Sequence, residues 1–81
     1  MGQGPDDRRA AIRAALRPGA RVRVDWKHEG LRRSFRETGT VIEVLDRDEG
    51  GFTLTLEVRP RFGAPARQPI EGDAIVEVTP A

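Results

Sequence analysis

Phe52-Thr53-Leu54-Thr55-Leu56-Glu57-Val58 alternates apolar and polar residues without a break. A period of two over this length is the pattern of a strand with one face in a core and one in solvent. Immediately before it lies Asp46-Arg47-Asp48-Glu49-Gly50-Gly51, rich in the residues that make tight turns. Before the turn, residues 31–45 form a second extended stretch, so the two read as a hairpin. That second stretch changes parity. Leu31 and Phe35 place odd positions inside, whereas Ile42 and Val44, flanking Glu43, place even positions inside. A slip of one residue is what a β-bulge produces, and Thr38-Gly39 is the expected place for it.

Working outward, Val22, Val24 and Trp26 alternate with Arg21, Arg23, Asp25 and Lys27. This is another half-buried strand, followed by a turn at His28-Glu29-Gly30. Downstream, residues 60–69 form a Pro-rich connection with a short edge strand expected near Ala66–Gln68, since prolines are tolerated on edges. A turn at residues 70–73 and a last strand over residues 74–78 complete the chain. At the other end, residues 5–17 read as a helix. Pro5 suits its first position, Asp6 and Asp7 suit its dipole, and Pro18-Gly19 stops it. Its apolar face, Ala11, Ile12, Ala15 and Leu16, is thin, so the helix is expected to cap a barrel and add little core.

Short strands with turns every 8–12 residues point to a small closed barrel. The expected fold is mainly β: a small SH3-like barrel of about five antiparallel strands with an N-terminal α-helix. Residues 1–18 are the tail and helix, and residues 19–81 a single domain. The expected core is Val22, Val24, Trp26, Phe35, Ile42, Val44, Phe52, Leu54, Leu56, Val58, Val76 and Val78.

Over residues 19–58, Gly19-x-x-Val22-x-Val24, then Gly30, then Gly39-x-Val41-x-x-Val44 resembles the opening of SH3-like barrels of the KOW and Tudor type. The stretch between Val24 and Gly39 is longer than in the KOW pattern, and that family's Lys-Gly pair is not at its spacing. The resemblance implies a small barrel. It also implies the partners met in that broad group: nucleic acid, ribosomal or transcription components, or peptides. Fold alone does not choose among them.

Composition removes many functions. The 81 residues include one His and no Cys or Tyr. Ser34 is the sole Ser. Disulfides, thiolate metal sites and cysteine nucleophiles are excluded. A serine nucleophile would need Ser34, His28 and a carboxylate to converge, and His28 reads as a turn residue. No catalytic residue, cofactor or metal is therefore assigned. Asp46-x-Asp48-x-Gly50-Gly51, with Glu57 at the twelfth place, matches part of a calcium-loop spacing. Its flanks are strands where that loop needs helices, so it reads as a hairpin turn. Nothing resembles a leader or a membrane span, so a cytoplasmic protein with no membrane partner is expected.

Charge is the strongest functional signal. The chain totals +1, but residues 8–36 hold ten basic residues against Asp25 and Glu29, while residues 37–81 hold four against nine acids. Arg21, Arg23 and Lys27 share one strand face, which Arg32 and Arg36 would join across the hairpin, with Arg33 at the rim. Arginine suits phosphate because its planar fork donates two hydrogen bonds at once. The helix edge Arg9–Arg13–Arg17 could extend the surface, and Glu43, Glu57 and Glu77 could neutralise part of it. Trp26 and Phe35 are assigned to the core instead of to base stacking. The expected function is a non-enzymatic nucleic-acid-binding or nucleoprotein-associated domain contacting phosphates through Arg21, Arg23, Lys27, Arg32, Arg33 and Arg36. The alternative is a protein-interaction module using the loop 60–69, with Arg61 and Phe62, or a strand edge.

Overall fold

The structure, a computed structural model, describes residues 5–27, 30 and 33–81. The expected turn at His28 and Glu29, and the expected positions of Leu31 and Arg32, lie outside the described residues. Helix α1 spans Pro5–Ala15 and is followed by five strands: β1 Arg21–Lys27, β2 Ser34–Asp46, β3 Phe52–Val58, β4 Ala66–Glu71 and β5 Ile75–Pro80. All pair antiparallel in one sheet of order β4-β3-β2-β1-β5. The fold is thus mainly β with an N-terminal helix, as expected. Among the described residues no ladder joins β4 to β5, so hydrogen bonds do not close the expected barrel. One turn of 3₁₀ helix, Gly72–Ala74, links these two edge strands. No helix among the described residues is long and apolar enough to cross a membrane.

The long strand β2 joins the two halves. Its first part pairs with β1, from Arg21 opposite Thr40 to Lys27 opposite Ser34. Its second part pairs with β3, from Thr40 opposite Glu57 to Asp46 opposite Phe52. The register slips between Val41 and Glu43, not at Thr38-Gly39. Inward positions therefore stay odd through Val41, which is fully buried, and switch to even at Val44. Ile42 falls at the slip and is only half-buried.

Gly39 does something other than bulge. It is buried opposite Val22, and a Cβ there would lie 2.3 Å from the Glu57 carbonyl oxygen and 3.0 Å from Leu56 Cγ. Glycine is needed because β3 crosses too close for a side chain. Gly72 is similar, since a Cβ would meet the Phe52 ring at 2.7–2.8 Å.

The core is Leu16, Val22, Val24, Val41, Phe52, Leu54, Leu56, Ile70 and Ile75. Trp26, Val44, Val58 and Val78 pack against it half-buried. Trp26 stacks on Phe35 with ring centroids 4.8 Å apart, so this pair closes one end of the core instead of filling its centre. Four expectations are corrected. Val41 replaces Ile42. Ile75 replaces Val76, which is exposed, because the β1–β5 register shifts between Asp25 and Trp26. Ile70 belongs to β4, not to a turn, and pairs with Leu54. Finally, Leu16, just past α1, is 1% exposed, so the helix segment does fill core.

Gly39→Ala should cost about 2 kcal/mol or more, because backbone must move to admit the methyl. For a domain of this size that is a fall in Tm of roughly 8–16 °C, which thermal denaturation followed by circular dichroism would register. An unchanged Tm would show that the β2–β3 crossing is loose.

Candidate functional site

Paired residues on an antiparallel sheet point to the same face. The outer face of β1 therefore reads across three strands in rows. Arg21 lies opposite Thr40 of β2. Arg23 lies between Thr38 of β2 and Thr79 of β5. Asp25 lies between Arg36 and Glu77, and Lys27 lies opposite Ser34. Strand alternation places Arg21, Arg23, Asp25 and Lys27 on this face because Val22, Val24 and Trp26 occupy the core side. The hairpin register then brings Arg36 beside them.

These cations do not all have the same surroundings. The Arg36 Nε donates to Asp25 Oδ1 at 2.7 Å. That hydrogen bond, then the charge of Asp25 and, more weakly, of Glu77, raises the guanidinium pKa. Asp25 and Glu77 face each other across β1 and β5 as like charges, an arrangement that destabilises a sheet. Arg36 offsets this repulsion, so its charge serves the fold. Arg21, Lys27 and Arg33 are exposed and Arg23 is half-buried. Among the described residues none of these four has an ion-pair partner. Arg33 immediately precedes β2, at the sheet end shared with Lys27. The expected member Arg32 lies outside the described residues.

Arg8, Arg9 and Arg13 do not extend this face, and Arg17 is exposed beyond the end of α1. Arg13 grips Asp46 with a two-pronged contact, Nε to Oδ1 at 2.8 Å and Nη2 to Oδ2 at 3.1 Å. Arg9 donates to Asp73 Oδ1 and to the Glu49 carbonyl, both at 2.8 Å. Arg8 donates to the Val76 carbonyl at 2.6 Å. The three arginines dock α1 on the sheet and its turns. Arg9 also holds the hairpin turn where Glu49 takes a left-handed conformation, φ 62°. The loop with calcium-like spacing thus binds arginine through Asp46 and the Glu49 carbonyl, and Glu57 stands away in β3. Among the described residues no cluster of His, Asp or Glu could hold a metal.

Both sheet edges are guarded. On β4, Pro69 supplies no N–H, and its carbonyl accepts from the Gln68 side chain at 3.2 Å. On β5, Arg8 takes the Val76 carbonyl, and α1 packs alongside, with Ala11, Ile12 and Ala15 facing Val76 and Val78 across a shallow groove. In the loop between β3 and β4, Arg61 and Phe62 project into solvent, Phe62 with 86% of its surface exposed.

No family model, curated protein or solved structure matches the chain.

The Arg13 hydrogen bond holds the Asp46 carboxyl below its ordinary value of 3.8, with a smaller contribution from the Arg13 charge. A depressed folded pKa means that the pair stabilises the fold above the ordinary carboxylate range. This contribution is lost as pH falls through the folded pKa. A carboxyl NMR titration should give Asp46 a midpoint below that ordinary value, returning to it in Arg13→Gln. Equal midpoints in the two proteins would mean that α1 is not docked through this pair in solution.

Proposed function

We propose that this chain is a non-enzymatic nucleic-acid-binding module that contacts phosphates through the outer face of β1 and the adjoining end of β2. Arg21, Arg23 and Lys27 lie along β1, and Arg33 continues the charge at the end of the sheet. The observation that carries the reading is selective neutralisation. Asp25 sits between Arg23 and Lys27 on the same strand face, yet it is bound by Arg36 from the next strand. Arg9 and Arg13 of the helix are likewise matched to Asp73 and Asp46. Arg21, Arg23, Lys27 and Arg33 have no such partner among the described residues. Arg21, Arg23 and Lys27 face hydroxyl residues across the strands instead of carboxylates, so an anionic ligand accounts for this run of cations better than pairing within the fold does. Arg32 remains part of the proposed set by its place in the sequence, next to Arg33.

The contacts would go to the backbone, with weak sequence preference and a strong dependence on salt. Hydroxyls of Ser34, Thr38, Thr40 and Thr79 among the cations add donors suited to phosphate oxygens. The resemblance to KOW and Tudor barrels agrees with this reading without deciding it.

A second reading keeps one observation in its favour, the exposure of Phe62 beside Arg61. It is a protein partner docking at that loop. Strand addition is disfavoured as its mechanism, because Pro69 with Gln68 guards one edge and α1 with Arg8 guards the other.

Fluorescence anisotropy of labelled single- and double-stranded oligonucleotides at several salt concentrations tests the choice. Binding should weaken with salt by a slope of about 0.7–0.9 per phosphate contacted. Arg21→Glu with Lys27→Glu should abolish binding with the fold intact, and Phe62→Ala should leave it unchanged. Absence of binding even at low salt would overturn the nucleic-acid reading.

A further inference from the structure

The middle row of the basic face contains an anomaly. The Arg23 Nε and the Thr79 hydroxyl are both shielded from solvent, and neither has a hydrogen-bond partner. They belong to residues directly opposite each other on β1 and β5. Buried polar groups in folded proteins are almost always satisfied, and a lone exception calls for an explanation. Here two exceptions are neighbours, on the face that carries Arg21, Arg23 and Lys27. Thr38 flanks Arg23 from the other side, and Arg21 with Thr40 forms the next row. The Arg23 row, Thr38–Arg23–Thr79, contains no carboxylate, and the Arg21–Thr40 row meets one only beyond Thr40, at Glu57 of β3, which pairs with Arg59. The Asp25–Arg36–Glu77 group begins only in the following row.

We infer that Arg23, Thr79 and Thr38, with Arg21 alongside, form an oxyanion subsite for a phosphate group. The inference rests on the nucleic-acid reading and deepens it by naming where one phosphate sits. The guanidinium would supply a two-pronged charged donor, and the two threonine hydroxyls would close on the remaining oxygens. Lys27 and Arg33 lie beyond the carboxylate row. The subsite is thus separate from the cations at the other end of β1. The same chemistry would accept a phosphodiester of a nucleic-acid strand or a free phosphate.

Two variants separate this site from simple charge. Thr79→Val keeps the β-branched shape and removes only the hydroxyl. If that hydroxyl has no other role, its loss should leave the Tm unchanged or raised, because an unpaired buried group is removed. Arg23→Lys keeps the charge and loses the fork and the Nε. Each variant should weaken binding of a short single-stranded oligonucleotide by roughly tenfold, the scale of one charge-assisted hydrogen bond. In parallel, the Arg23 Nε–H cross-peak of the labelled wild-type protein would be titrated with inorganic phosphate, against sodium chloride at equal ionic strength. A saturable shift with phosphate alone supports the site. No shift, or the same shift with chloride, overturns it.

The two arms also separate this inference from the reading beneath it. If the oligonucleotide binds while both variants match wild type and phosphate leaves Arg23 unmoved, the subsite falls and the nucleic-acid reading stands. If phosphate saturates the Arg23 signal and no oligonucleotide binds, the subsite stands for a free phosphate and the nucleic-acid reading falls.

Discussion

Everything in this small sheet depends on one strand serving two partners. β2 gives its first half to β1 and its second half to β3, and the two pairings overlap at Thr40. A strand shared in this way must bend, and it must let a neighbouring backbone come very near. The slip between Val41 and Glu43 supplies the change of register, and Gly39 supplies the room. With a side chain at Gly39, the β3 backbone at Glu57 could not keep its path. The core would then lose the meeting of Val22 and Val24 with Leu54 and Leu56. The bend also separates the chain's surfaces. The β1–β5 half presents the cationic rows, while the β3–β4 half presents Glu57, Glu71 and the guarded edge at Pro69.

Strands and their inward faces were legible wherever alternation ran unbroken, as in Phe52–Val58 and Arg21–Lys27. The misreadings cluster where the ladder is irregular. A bulge was readable in β2 from the clash of parities, but its place was not. Glycine marked a close crossing there, and nothing local distinguishes a glycine that bulges from one that yields to a neighbour. Val76 looked inward because β5 alternates, yet the irregular pairing opposite Asp25 and Trp26 puts Ile75 inside instead. Ile70 was hidden by Pro69, a residue that argues against a strand unless that strand lies on an edge. A thin helix face suggests little burial, and Leu16 runs against that expectation. Its burial comes from the chain leaving the helix, not from the helix surface.

The candidate site was legible in outline only. Strand parity suffices to place Arg21, Arg23 and Lys27 together, and hairpin pairing adds Arg36. Parity says nothing about which cations are already matched, because ion pairs join distant parts of the chain. Arg13 meets Asp46 and Arg9 meets Asp73, pairs 33 and 64 residues apart. The charge asymmetry between the two halves of the sequence is thus consumed in part by folding. Some arginines fasten α1 and one reconciles Asp25 with Glu77. The expected neutralisers Glu43 and Glu57 play neither role toward β1. Glu57 forms its ion pair with Arg59, at 3.7 Å.

The arginines that remain are the ones the fold does not need. Exposed ion pairs contribute little to stability, of order 0–1 kcal/mol each, so leaving a few cations unpaired costs a domain little. Leaving Arg23 Nε and the Thr79 hydroxyl buried and unpaired is different, because a desolvated polar group forfeits its bonds to water with nothing in return. A valine at position 79 and an uncharged residue at position 23 would serve the sheet better, given how well β-branched side chains pack there. A position where local stability is sacrificed is where selection for something other than stability should be sought. On this molecule that position coincides with the uncompensated cations. The unsatisfied donors and the unmatched charge therefore point to the same patch of β1, and to the same kind of ligand, an oxyanion.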